Sequence, residues 1–115
     1  MSTPLTTRSV YREDHEAFRE QVRRFWDKEI VPFHAQWDQD GIVPKEVWRK
    51  AGKEGLLNTM LPEPYGQGGD FGHAAVLLEE LARTNTLGIG FPLHSDIAAP
   101  YINAYGSTAQ KDRWL

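Results

Sequence analysis

The sequence contains no cysteine. That excludes a disulfide framework, a thiol nucleophile and a thiolate metal site, and it suits the cytoplasm. Positive charge is not in excess either: the 115 residues carry a formal net charge of -3. Lysines and arginines are interleaved with acids, so no basic field exists for a nucleic-acid backbone. No window has the apolar length of a membrane span, and residues 1–8 hold no apolar signal core. Several chemical motifs are missing as well. There is no Gly-x-Ser-x-Gly elbow, no Gly-Lys-Ser/Thr phosphate loop and no Glu-x-x-His pair of the di-iron bundles. His15, His34, His73 and His94 stand singly, which argues against a metal centre. Period-two alternation persists nowhere, so no strand is expected, and there is no internal repeat.

What is present is helical periodicity. Residues 1–9 read as a flexible arm. A helix then begins near Arg12, with Glu13, Asp14 and Glu16 in the first turn where the dipole favours negative charge. Phe18, Val22, Phe25, Trp26 and Ile30 form its apolar stripe, and Pro32 ends or kinks it. A short helical piece carries Phe33 and Trp37 and stops at Gly41. Pro44 suits the first position of a third helix, with Val47, Trp48 and Ala51 buried and Gly55 as its C-terminal cap. Residues 56–61 read as an extended connection. Asp70 suits the N-cap of the next helix, whose predicted stripe is Phe71, Ala74, Ala75, Leu78, Leu81 and Ala82. Residues 86–105 read as one weakly polar helix, with Gly106 as its cap and Ser107 or Thr108 starting the last. That helix has run about two turns at Trp114-Leu115, an aromatic–aliphatic pair with nothing after it to pack against. The chain therefore reads as a piece of a longer protein.

Two segments stand out. Between residues 62 and 72 there are two prolines and four glycines, more backbone control than a plain helix connection needs. Such a loop either sets the angle between two helices or packs against another domain or a ligand. In residues 87–97, Gly88 and Gly90 leave space beside an apolar helix. That space serves either close helix packing or a long apolar ligand, at roughly 0.8 kcal/mol for each methylene buried. The adjacent Glu79 and Glu80 point about 100° apart on a helix. They read as a solvated face or salt bridges rather than a general acid/base pair.

The order and spacing of these features resemble the N-terminal helical domain of the acyl-CoA dehydrogenases. The series is Phe25, Pro32 and Trp37; Pro44, Val47, Trp48 and Gly55-Leu56-Leu57; Pro62-Glu-Pro-Tyr-Gly-Gln-Gly-Gly-Asp70; Glu79-Glu80-Leu81-Ala82; and Gly106-Ser107 with Gln110-Lys111. It covers the chain from residue 10 to the end. The run Gly88-x-Gly-Phe-x-x-His94-Ser95 is most similar to the long-chain branch. Gln67, Pro92 and Pro100 depart from the commoner family pattern.

The resemblance implies an all-α domain of five to six helices over residues 10–115, followed in the parent enzyme by a middle β domain and a C-terminal bundle. It implies FAD as cofactor, an acyl-CoA substrate, and α,β-dehydrogenation in fatty-acid β-oxidation. A glutamate outside this chain removes the α-proton while hydride passes to the flavin. An electron-transfer flavoprotein is the implied partner, and a homo-tetramer or dimer the implied assembly. No catalytic residue falls in this chain, which alone is expected to be inactive. By position in the motif, the acyl cavity receives Gly88, Ile89, Gly90, Phe91, Leu93 and Ile97. A flavin-dependent monooxygenase, an acyl-CoA oxidase and a non-catalytic acyl-CoA-binding module are the alternative readings.

Overall fold

The computed structural model describes residues 10–115; the arm expected over residues 1–9 lies outside the described residues. Among the described residues the chain is all-helical. In order it comprises α1 (Glu13–Phe25), a π-helical turn (Trp26–Ile30), α2 (His34–Asp40), α3 (Lys45–Lys53), α4 (Phe71–Arg83), a second π-helical turn (Leu93–Ala98), α5 (Ala99–Tyr105) and α6 (Thr108–Trp114). Both π turns run up against a proline. Val31 N–H reaches back five residues to the Trp26 carbonyl at 2.8 Å, just before Pro32. Ala99 N–H does the same to His94, just before Pro100. A proline has no N–H, and its ring displaces the carbonyl four residues back, so the ladder widens ahead of it. The break expected at Pro32 is therefore a π turn that keeps Trp26 and Ile30 in the core.

The helix ends follow local chemistry. Asp70 accepts from Gly72 N–H and Ser107 from Gln110 N–H, each at the N-cap of its helix. α3 closes in a Schellman motif, with Leu56 N–H on Ala51 O at 2.9 Å and Gly55 N–H on Gly52 O at 3.1 Å. Gly55 takes the left-handed φ of 77° that this motif needs. α4 closes the same way through Asn85 at φ 55°, with Thr86 N–H on Leu81 O.

Three expectations need correction. Pro44 precedes α3 as its N-cap instead of occupying its first position. Residues 56–61 are not extended: they form bends and turns, with Asn58 at φ 53°. Residues 86–90 are not helical, because the Asn85 cap ends α4 and the next helical run starts only at Phe91. Gly106 caps α5 as expected, in extended conformation with φ -77° and ψ 153°. It is glycine because a Cβ would stand 2.6 Å from Ile102 O.

The core joins Val22, Trp26 and Ile30 with Trp37, Ala51, Leu56, Leu77, Leu81, Ile89 and Phe91. Phe91 meets Trp26 and Trp48 edge-on, with ring centroids 5.8 and 4.6 Å apart, the geometry aromatic quadrupoles favour. The Trp26 indole N–H donates to Thr86 Oγ1 at 2.8 Å.

α4 turns a different arc inward from the predicted stripe. Ala74, Val76, Leu77, Glu80 and Leu81 are buried, while Phe71 and Leu78 face out. The physical reason is Glu80, which is 1% exposed. Its carboxylate accepts from Arg23 Nε at 2.7 Å and Nη2 at 3.0 Å, from Arg83 Nε at 3.0 Å and from Arg19 Nη1 at 3.2 Å. Arg19 also donates to Glu79 at 2.7 Å. The adjacent glutamates are thus salt-bridged, one of the two readings their spacing left open. Arg12 meets Asp70, Arg19 meets Glu79, and Asp27 meets Arg83, so α1 and α4 run in the same direction.

Removing one partner of a buried charge cluster leaves the others uncompensated. Glu80→Ala is expected to lower unfolding stability by about 3 kcal/mol. Arg23→Ala, which leaves Glu80 two other arginines, is expected to cost about 1 kcal/mol. Urea denaturation midpoints of the two variants check both.

Candidate functional site: an apolar helix face and two grooves

From Phe91 to Tyr105 the chain is continuously helical through the second π turn. Its inner side inserts Phe91, Ser95 and Ala99, all buried. Its outer side leaves Leu93 64% exposed, Ile97 53%, Tyr101 66% and Tyr105 83%. These four are spaced by four residues, so they form one continuous apolar strip. Trp114 on α6 is also exposed. With Tyr101, Ile102, Tyr105, Gly106 and Gln110 it lines a groove of about 450 Å³ between α5 and α6.

The six residues assigned to an acyl cavity separate into three groups. Ile89 and Phe91 lie in the core. Gly88 and Gly90 line a second groove, of about 400 Å³, with His34, Trp37, Asp38 and Trp48. Gly88 N–H donates to His34 Nε2 at 3.1 Å, and a Cβ at Gly88 would stand 3.0 Å from that nitrogen. Leu93 and Ile97 begin the exposed strip. Tyr101 and Tyr105 escaped the sequence reading, and Trp114 enters it only as an unpartnered end of the last helix; the i, i+4 spacing from Leu93 to Tyr105 is the signal that marks the two tyrosines.

Polar groups secure the inner side. Ser95 Oγ accepts from Asn58 N–H at 3.0 Å and pairs with His94 Nδ1 at 3.1 Å. Burial pushes the His94 imidazole below its ordinary pKa and the Asp96 carboxyl above its own. The proline- and glycine-rich loop closes on its own domain. Asn58 O accepts from Leu61 and Gln67 N–H, Asn58 Nδ2 donates to Tyr65 O, and Tyr65 OH donates to Asp112 Oδ1 at 2.5 Å. Among the described residues, Asn58 Oδ1 is the one buried side-chain polar atom without a partner.

A second polar cluster joins the N-termini of α1 and α4. Asp70 receives Arg12 Nη2 at 2.8 Å and His15 Nε2 at 2.7 Å, besides Gly72 N–H. His15 Nδ1 accepts from Arg12 N–H at 3.0 Å, so Nε2 carries the hydrogen and donates. His73 Nδ1 accepts from Asp70 N–H at 3.1 Å. Asp14, His15 and His73 lie close enough to share a cation. Both His15 nitrogens and His73 Nδ1 are already hydrogen-bonded at the helix starts, while His73 Nε2 lies 3.4 Å from Asp14 Oδ2. Parallel α1 and α4 bring two positive dipole ends together, and the Asp70 carboxylate lies between them. Hydrogen bonds from Arg12 and His15 hold its carboxyl far below the ordinary range. For Glu80, burial alone would raise the pKa; the bonds from Arg23, Arg83 and Arg19 outweigh it, and the net direction is down. Both glutamates and Asp70 are therefore committed to structure, and no carboxylate pair faces either groove for acid–base work.

The fold and this face define a helical domain that presents an apolar, nearly uncharged surface. Residues 12–115 match the family model described as acyl-CoA dehydrogenase, N-terminal domain, and the chain belongs to that family. It is 47% identical over 109 residues to the long-chain specific acyl-CoA dehydrogenase, mitochondrial, of Sus scrofa, covering 94% of this chain and 25% of that protein. To the short-chain specific enzyme of Rattus norvegicus it is 32% identical over 105 residues, covering 90% and 26%. The crystal structure of an acyl-CoA dehydrogenase from Geobacillus kaustophilus superposes with a TM-score of 0.86 at 39% identity, covering 95% of this chain and 29% of that one. The chain thus spans about a quarter of the length of these relatives, and its likeness is greater to the long-chain enzyme than to the short-chain one.

The lowered carboxyl values set the acid limb of stability. A depressed carboxyl contributes stability that is fully present above its unfolded pKa, about 4, and is lost as pH falls through the folded value. Stability is therefore expected to decline on acidification below about pH 4. Asp70→Asn keeps the cap but removes the charge. It is expected to lower stability at pH 7 and to flatten the acid limb, as read by chemical denaturation across a pH series.

Proposed function

We propose that this chain is the substrate-side helical domain of a FAD-dependent acyl-CoA dehydrogenase acting on longer acyl chains in fatty-acid β-oxidation. The supporting observation is the exposed strip from Leu93 to Tyr105 in a chain 47% identical to a long-chain enzyme. A contiguous exposed apolar strip of this kind marks a surface that meets a ligand or another protein part. Gly88, Gly90, Leu93 and Ile97 are the residues proposed to wall the acyl chain, with Ile89 and Phe91 supporting them from the core. The matched relatives are named as dehydrogenases, which favours this reading over an oxidase, a monooxygenase or a non-catalytic module.

The flavin does not fit this chain's own grooves. The 400 Å³ groove carries Asp38 and no lysine or arginine, and the 450 Å³ groove carries no charged residue. A dinucleotide pyrophosphate finds no countercharge in either. FAD therefore belongs to parts of the enzyme outside this chain. The chemistry of proton and hydride removal belongs there too, as does transfer to an electron-transfer flavoprotein. A homo-tetramer or dimer is the proposed assembly. The cysteine-free composition suits a reducing compartment. The cytoplasm is the proposed compartment, whereas the pig and rat relatives are named as mitochondrial.

Replacing Gly88 or Gly90 by leucine in the full-length enzyme tests the cavity assignment. A wall role predicts a loss of about tenfold or more in kcat/KM for long-chain acyl-CoA with short-chain turnover spared. Equal loss at every chain length would point to damaged folding instead.

A further inference from the structure

The groove of about 400 Å³ at Gly88 and Gly90 extends beyond the residues assigned to the acyl wall. Its body is apolar, with Trp37, Ile42, Val43 and Trp48 along it. The two glycines give it a side without side chains. A Cβ at Gly90 would meet the Trp48 ring at 3.7 Å. The same ring packs edge-on against His94, the neighbour of Leu93, with ring centroids 5.7 Å apart. Trp48 therefore joins this groove to the start of the exposed strip. The polar groups gather at Gly88. His34 Nε2 accepts from Gly88 N–H at 3.1 Å. Asp38, one turn further along α2, has Oδ1 within 3.8 Å of where a Gly88 Cβ would stand.

An acyl chain that lies along Ile97, Leu93 and Gly90 reaches this groove next. Each methylene that leaves water between Trp37 and Trp48 is worth about fourfold in binding. That gain ends at Gly88. The His34 ring is held in place by its hydrogen bond, and beside it an alkyl group would strip water from the Asp38 carboxylate without offering a partner. We infer that this groove takes the distal end of a long acyl chain and that His34 is its end stop, a specificity-determining residue that sets the longest chain accepted. Asp38 is exposed and can swing aside, whereas His34 is half-buried and tied to the backbone. The inference rests on the proposed reading that residues 88–97 wall the acyl chain.

The test uses the full-length enzyme and saturated acyl-CoA substrates of graded chain length. His34→Ala removes the stop, and His34→Trp moves it into the groove. For chains longer than the wild-type optimum, alanine is expected to raise kcat/KM relative to the optimum by about fourfold or more. Tryptophan is expected to lower kcat/KM for the longest accepted chains by about tenfold, with short-chain turnover spared. A loss of stability alone would not move the two length profiles in opposite directions. Unmoved profiles in both variants would overturn the inference, as when a side chain from another part of the enzyme fills the groove. Gly90→Leu, measured on the same series, separates this from the underlying reading. Selective long-chain loss in Gly90→Leu with unmoved His34 profiles refutes the end stop alone. An unchanged profile in Gly90→Leu refutes the acyl wall, and the end stop with it.

Discussion

Glu80 is a carboxylate almost wholly removed from water at the seam of α1 and α4, and Arg19, Arg23 and Arg83 converge on it. Much of the architecture follows from that contact. An unpaired carboxylate there would not stay buried, so the arginines determine which arc of α4 faces inward. That arc brings Leu77 and Leu81 against Trp26 and Phe91, and it leaves Phe71 and Leu78 outside. The same seam makes α1 and α4 parallel, which would set two positive helix ends side by side. Asp70 answers this by capping α4 while accepting from Arg12 and His15 of α1. One charge cluster therefore fixes the rotation of the pair, and the other fixes its start.

With that frame set, the helical run from Phe91 to Tyr105 has little freedom. Phe91 is anchored between two tryptophans, and Ser95 is tied to Asn58. The side away from these anchors can only face outward. It carries apolar residues at every fourth position. Placing such a surface on a rigid support is how a domain can contribute a wall to a cavity completed by other parts of an enzyme. In the proposed role the domain supplies shape and apolar contact, while Asp70, Glu79 and Glu80 are spent on holding it together.

Features set by local chemistry were legible in the sequence. Asp70 and Ser107 as N-caps, Gly41 and Gly55 at helix ends, and the aromatic stripe of α1 each follow from a few neighbouring residues. For Glu79 and Glu80, a salt-bridged state was legible only as one of two readings of their spacing, beside a solvated face. The inward turn of Glu80 was not, because it depends on Arg19 and Arg23, about sixty residues away in sequence. α4 is apolar on more than one side, so periodicity alone could not choose between Leu77 and Leu78. Residues 86–90 read as helix from their apolar content, but Asn85 in the left-handed region ends α4 ahead of them. The candidate site divides similarly. Motif position picked out residues 88–97, and only the fold separates core-bound Ile89 and Phe91 from surface-facing Leu93 and Ile97.

The central claim is that the charge-clamped pair of α1 and α4 is a passive frame while residues 88–97 meet the acyl chain. Hydrogen exchange on the full-length enzyme, with and without a long-chain acyl-CoA, tests this most directly. The account predicts slowed exchange in residues 88–97 on ligand addition, with α1 and α4 equally protected in both states. Slowing confined to α1 and α4, with residues 88–97 unchanged, would contradict it.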